Sequence, residues 1–261
     1  MSNGIIQLPM LGDPGFGRFG NTLFTLAFTK AYADSIGAIL EIPENWIGRA
    51  IFPHFENYPT ISRPLPFMQF HHMPKGETDI ALTGFYQNQQ SLDLWKNRPY
   101  KEWFEIRPEI MIPHTNVWMW NWYIKNNNLQ PIPCHRRSGD YAETPYPILS
   151  TQTYLDSIEK YNILGNPIFI GDSEISQLPQ LFDKTDISFI SDFIYLMLAP
   201  VLFRGNSSFS WWSAALSPVK QRVFSPIVQG LSKSNTECIF IEGNWPAFLP
   251  HDTNHTDLNL M

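Results

Sequence analysis

Short apolar runs alternate along this chain with longer segments of helical period, and no other feature limits its fold as strongly. Runs at residues 5–8, 38–42, 80–85, 168–170, 187–190, 201–203 and 223–224 read as strands, and 133–137 closes another. Helical patterns lie between them. One carries Leu23, Leu26, Ala27 and Ala31 on one face, behind a capping Asn21, and stops at Gly37. Others run over 92–104, from a Ser150 cap through Tyr154, Leu155, Ile158 and Tyr161, over 193–198 and over 208–216. A strand reached through a helical crossover returns parallel to its predecessor. The expected fold is therefore α/β with mostly parallel sheets. Residues 43–77, rich in Pro, His and aromatics, read as loops with short helices, and 116–125 carries no assignable pattern. The polar run Asn126-Asn127-Asn128 marks a boundary, giving units 1–128 and 129–261. The strand–helix units of the second read as Rossmann-like.

Composition excludes several classes. Hydrophobic residues make up 43% and charged residues 16%, which suits a folded chain and not a disordered one. A net charge of −6 argues against wrapping by nucleic acid, while leaving room for a local basic pocket. The nine tryptophans and an aromatic content of 15% suit a protein that handles sugars. Cys134 and Cys238 give neither a disulfide framework nor metal-site spacing. The apolar run 193–203 contains Pro200 and is shorter than the roughly 20 residues a spanning helix needs. The N-terminus lacks the basic and apolar regions of a signal peptide. A glycan on the sequon Asn206-Ser207-Ser208 would block a segment expected to be functional, so the expected location is the cytoplasm.

Two segments carry chemistry. Gly15-Phe16-Gly17-Arg18-Phe19-Gly20 matches G-x-G-x-x-G, and Glu41 follows Gly20 by 21 residues at a strand end. A dinucleotide fingerprint wants its first glycine directly off the strand, whereas several residues, Pro14 among them, intervene here. A plain connector and a dinucleotide loop both remain possible. The favoured reading is a loop that lets backbone approach a ligand, with Arg18 and Asn21 as donors. The second segment is Cys134-His135-Arg136-Arg137-Ser138-Gly139-Asp140-Tyr141. Arginine presents a planar fork matched to phosphate oxygens, so two of them with a histidine at a strand end form a candidate diphosphate site. The alternative is a surface pair bridged to Asp140.

Gly17-Arg18-Phe19-Gly20-Asn21-Thr22-Leu23-Phe24 resembles the opening G-R-L-G-N-Q-x-F of the α-1,2-fucosyltransferase family, glycosyltransferase family 11. His135–Tyr141 resembles that family's H-x-R-R-G-D-Y. Gapless pairing sets Arg137 on the motif's first arginine, Arg136 in the variable slot and Ser138 where the second arginine belongs. The block from Asn206 through Ser207, Ser208, Phe209, Trp211 and Trp212 to Leu216, preceded by Asp192 and Met197, resembles N-S-S-F-S-W-W-x-A-x-L after D-x-x-x-M. Gly171-Asp172 resembles a strand end S-D-D, and Gly84-Phe85-Tyr86-Gln87 resembles G-Y-F-Q. The likeness runs over residues 15–228.

The resemblance implies a GT-B architecture of two facing Rossmann-like domains, with the acceptor side first and the nucleotide sugar held by the second. It implies transfer of L-fucose from GDP-fucose, with inversion, to a glycan hydroxyl such as O2 of a galactose-type sugar. Arg137, His135 and Asp140 are then the expected catalytic residues, with Glu143 as a second candidate base. Arg18, Gly20, Asn21, Arg136, Asp172, Asn206, Ser207, Ser208 and Phe209 are the expected donor-binding residues. Trp211 and Trp212 read as core. No D-x-D occurs, so no metal or other cofactor is expected.

Overall fold

A computed structural model describes residues 4–13, 15, 18–125, 130–137, 148–171, 189–205, 207–219, 221–224 and 256–258. Its contacts divide the chain into units 1–107 and 108–261. The division falls ahead of the polar run at 126–128, because helix α5 (Pro108–Lys125) packs on α7 (Ile190–Leu198) in the second unit.

In the first unit β1 (Ile5–Gln7) lies between β2 (Ile39–Glu41) and β3 (Ile80–Ala81), parallel to both. Ile6 pairs with Leu40 on one side and Ile80 on the other. The third strand is shorter than its apolar run, since Gly84 (φ 148°) and Tyr86 (φ 51°) turn the chain away. Helix α1 (Phe19–Ile36) connects β1 to β2. It opens on an extended Arg18 that makes no side-chain cap, so Asn21 lies inside the first turn and is not the cap. Gly37 closes it in the left-handed region (φ 67°), where a side chain would be strained. The helix is buried nearly all round, because α3 (Gln89–Trp95) covers a second face and Phe24 meets Trp95 edge-on. The single helix expected over 92–104 is two: α3, and α4 (Tyr100–Trp103) behind Pro99. Proline lacks a donor and disfavours helix in the residue before it. A short helix α2 (Gly48–Ile51) lies in the loop-rich stretch.

In the second unit five strands lie in the order β5-β4-β6-β7-β8. These are β4 (Pro131–His135), β5 (Asn166–Ile170), β6 (Val201–Phe203), β7 (Gln221–Phe224) and β8 (Thr256–Leu258). All pairings are parallel except β7 with β8, an edge strand that no apolar run announces. Every residue of β4 is buried, as befits a strand covered on both faces. Ile132, Cys134, Val201, Phe203 and Phe224 pack with Tyr154 of α6 (Thr151–Lys160). Each such large side chain contributes roughly 1.5–3 kcal/mol on burial. Ser150 caps α6 by accepting from the Thr153 N–H at 3.1 Å. Ile190, expected to end a strand, opens α7 instead. Helix α8 (Ser208–Ala215) follows β6, and its Trp211 and Trp212 are fully buried, edge to face at 5.2 Å.

Candidate functional site

Three strand ends converge in the second unit. β4 stops at His135, flanked by the ends of β5 and β6. The approach is close enough to require glycine twice. A Cβ on Gly171 would lie 1.9 Å from the Arg136 carbonyl oxygen, and one on Gly205 would lie 2.6 Å from that of His135. The Arg136 N–H donates to Ile170 O at 2.8 Å, extending the ladder by one residue. The Tyr154 hydroxyl, fully buried on α6, donates to His135 O at 2.5 Å. Burial pushes this phenol far up, so it remains a donor. Helix α6 thus fixes the point at which the chain leaves β4.

The side chains at this edge divide by task. The His135 ring is buried and stacks on Phe209 with centroids 5.5 Å apart, while Phe193 of α7 meets Phe209 edge-on. The Arg136 Nε donates to Leu149 O at 3.2 Å, which ties at least one of its nitrogens to the lead-in of α6. Arg137 follows, half-buried, at the mouth of the strand. Ser207 caps α8 by accepting from the Phe209 N–H, and Ser208 opens that helix half-buried. A helix N-terminus collects unpaired N–H groups and favours anions. Arg204, a fully buried arginine directly after β6, belongs to the same edge although the motif in the sequence starts only at Asn206. A cation closing an apolar strand was the available signal. The edge therefore gathers His135, Arg136, Arg137, Arg204, Ser207, Ser208 and Phe209 on neighbouring strand ends, where open α/β sheets bind ligands. Asp140, Glu143, Asp172 and Asn206 lie outside the described residues.

Arg18, Gly20 and Asn21 belong to the first unit, at the start of α1. Arg18 is exposed. The Asn21 Oδ1 accepts from Gln87 Nε2 at 2.8 Å, and the Thr25 hydroxyl donates to Gly84 O at 2.9 Å, so the two family-like motifs of this unit touch. Glu41, the acidic residue of the dinucleotide alternative, is buried and accepts from Gln7 Nε2 at 2.7 Å. That engagement removes it from the role of a ribose ligand. Of the isolated histidines, His114 is fully buried and spans from Ile110 O to the Ser191 hydroxyl, whereas His54, His71 and His72 are exposed. Among the described residues no three His, Cys, Asp or Glu cluster as metal ligands, and no helix is long and apolar enough to cross a membrane.

No protein-family model matches the chain, and no curated protein does. Solved structures do. The fucosyltransferase NodZ from Bradyrhizobium is similar at a TM-score of 0.53 and 14% identity, over 98% of this chain and 99% of that one. A NodZ α-1,6-fucosyltransferase structure soaked with GDP-fucose is similar at 0.52 and 14%, with the same coverage. A FUT1 mutant from Arabidopsis thaliana in complex with GDP is similar at 0.50 and 11%, over 87% of this chain and 72% of that one. The chain thus has the α/β, parallel-sheet GT-B fold of these fucosyltransferases.

Proposed function

We propose that the protein is a glycosyltransferase that moves L-fucose from GDP-fucose to a glycan hydroxyl, with inversion and without a metal. The carrying observation is the arginine pair directly past the buried interior strand β4, in a fold shared with enzymes whose structures hold GDP or GDP-fucose. The acceptor oxygen forms its bond to fucose C1 from the face opposite the leaving group. The bond from C1 to the diphosphate oxygen breaks, and GDP departs with the electron pair. Charge then develops on the β-phosphate, and a fixed cation lowers the barrier without reorganising. Arg137 supplies it, assisted by His135, Arg136, Ser207 and Ser208. The acceptor proton passes to a carboxylate, for which Asp140 and Glu143 are the candidates.

The α-1,2 linkage to a galactose-type sugar is the regiochemistry that the family resemblance suggests. Ser138, standing where that motif carries its second arginine, favours one other reading: a related transferase that uses another nucleotide sugar. The test is a transfer assay with GDP-fucose, UDP-galactose and UDP-glucose against lactose, with the product linkage read by NMR. The proposal expects a fucosylated product from GDP-fucose, formed equally well in EDTA. Transfer from a UDP-sugar alone would replace it with the second reading.

A further inference from the structure

Two adjoining cavities of about 260 and 360 Å³ lie at the C-terminal edge of the first unit's sheet and share Pro9 and Phe67 as walls. Phe67 is 64% exposed and Phe70 49%, two large rings open to solvent. Both border this one groove. Large exposed rings on a folded chain mark a binding surface, and each volume is near the low end of the ~300–1,000 Å³ of small-molecule sites.

The rings are held in place. Residues 66–71 run beside β3, with Met68 N–H donating to Ala81 O, His71 N–H to Thr83 O and Ala81 N–H to Pro66 O, all at 2.9 Å. The Thr83 hydroxyl donates back to Met68 O at 3.0 Å. Phe70 packs edge-on against His71, which sits at φ 62°. Across the groove, the Gln7 side chain acts as a strand of its own. Its Nε2 donates to Arg63 O at 2.7 Å and its Oε1 accepts from Leu65 N–H at 3.1 Å. Glu41 holds the amide in that orientation.

We propose that this groove binds a hexopyranose at the end of an oligosaccharide. The C–H face of a pyranose is flat and apolar and suits a pair of exposed rings. Its hydroxyls need acceptors and donors, which the exposed Asp13 carboxylate and Arg63 guanidinium provide at the rim. A lipid chain or an apolar peptide would cover the Asp13 and Arg63 side chains at the rim without offering them a polar partner. That this sugar is the acceptor rests on the transferase reading, but its binding does not.

Saturation-transfer NMR on the full chain, with no nucleotide present, tests the site using methyl β-galactoside, methyl β-N-acetylglucosaminide and lactose. At least one should receive saturation on one ring face. The Phe67→Ala/Phe70→Ala double variant should lose that signal tenfold or more, Phe67→Trp should keep it, and GDP affinity should stay within twofold as the control for folding. No signal from any of the three sugars, or an undiminished signal in the double variant, overturns the proposal. A ring-dependent sugar signal in a protein that ignores GDP would sustain the groove and sink the transferase reading.

Discussion

Arg49 organises the loop between β2 and residue 59 with one side chain. Its Nε donates to Pro43 O at 2.9 Å, its Nη1 to Phe55, Glu56 and Tyr58 carbonyls, and its Nη2 to Ile42 O at 3.0 Å. A planar fork can serve several carbonyls that an ammonium cannot. Arg49→Met should destabilise the protein by about 2 kcal/mol or more in urea denaturation, and Arg49→Lys should recover little of it. Tyr154 is the second such residue. Tyr154→Phe removes the hydroxyl that donates to the buried His135 carbonyl, with an expected loss of about 1 kcal/mol or more by the same measurement. The sequence made some of this legible. Ser150 is a cap because its chemistry and position announce it, whereas Ser207, expected as a donor ligand, caps α8. His135–Arg137 stood out because charge follows an apolar run. Arg49, the Gln7–Glu41 clamp and Tyr154 did not stand out. Their partners are carbonyls or amides distant in sequence, and these leave no periodic trace.

At the scale of elements, α5 and α7 are joined by a buried histidine. The His114 Nδ1–H donates to Ile110 O at 2.6 Å, which leaves Nε2 to accept from the Ser191 hydroxyl at 2.9 Å, and Tyr195 lies edge-on to the ring. Burial pushes its pKa down, outweighing the opposing effect of the Ile110 carbonyl. The folded state therefore holds it neutral while the unfolded chain takes up a proton near pH 6.5. This group's contribution is complete above that pH and falls as pH drops below it, with a slope no steeper than about 1.4 kcal/mol per pH unit. Denaturation at pH 7.5 and 5.5 should show a loss for wild type that is smaller in His114→Gln. Equal losses in both would remove the group from the acid response. In the second unit β4 to β7 and the Ser150 cap of α6 are readable from apolar runs and a flanking serine, whereas β8 and the start of α7 are not. Helix α5 was not, because Pro113 and a dense aromatic tract hide its period. The break between α3 and α4 was written in Pro99, but the apolar spacing across it reads as continuous.

For the whole molecule, the fold is shared with fucosyltransferases at 11–14% identity, so its agreement is architectural. Parallel sheets built from helical crossovers tolerate wide change in side chains, provided that strand ends keep close approaches such as those at Gly171 and Gly205. A ligand that binds only the folded state raises its stability in proportion to the logarithm of concentration over Kd. The account therefore expects GDP to raise the melting temperature, UDP to raise it less, and EDTA to leave the GDP shift unchanged.

The central claim is that a guanidinium beyond the end of β4 holds the diphosphate of the donor. Calorimetric titration of GDP into wild type and Arg137→Ala measures this directly. The account predicts saturable binding to wild type, weakened about 100-fold or more in a variant that melts at the same temperature. GDP binding of equal strength in both proteins, or none to either, would contradict it.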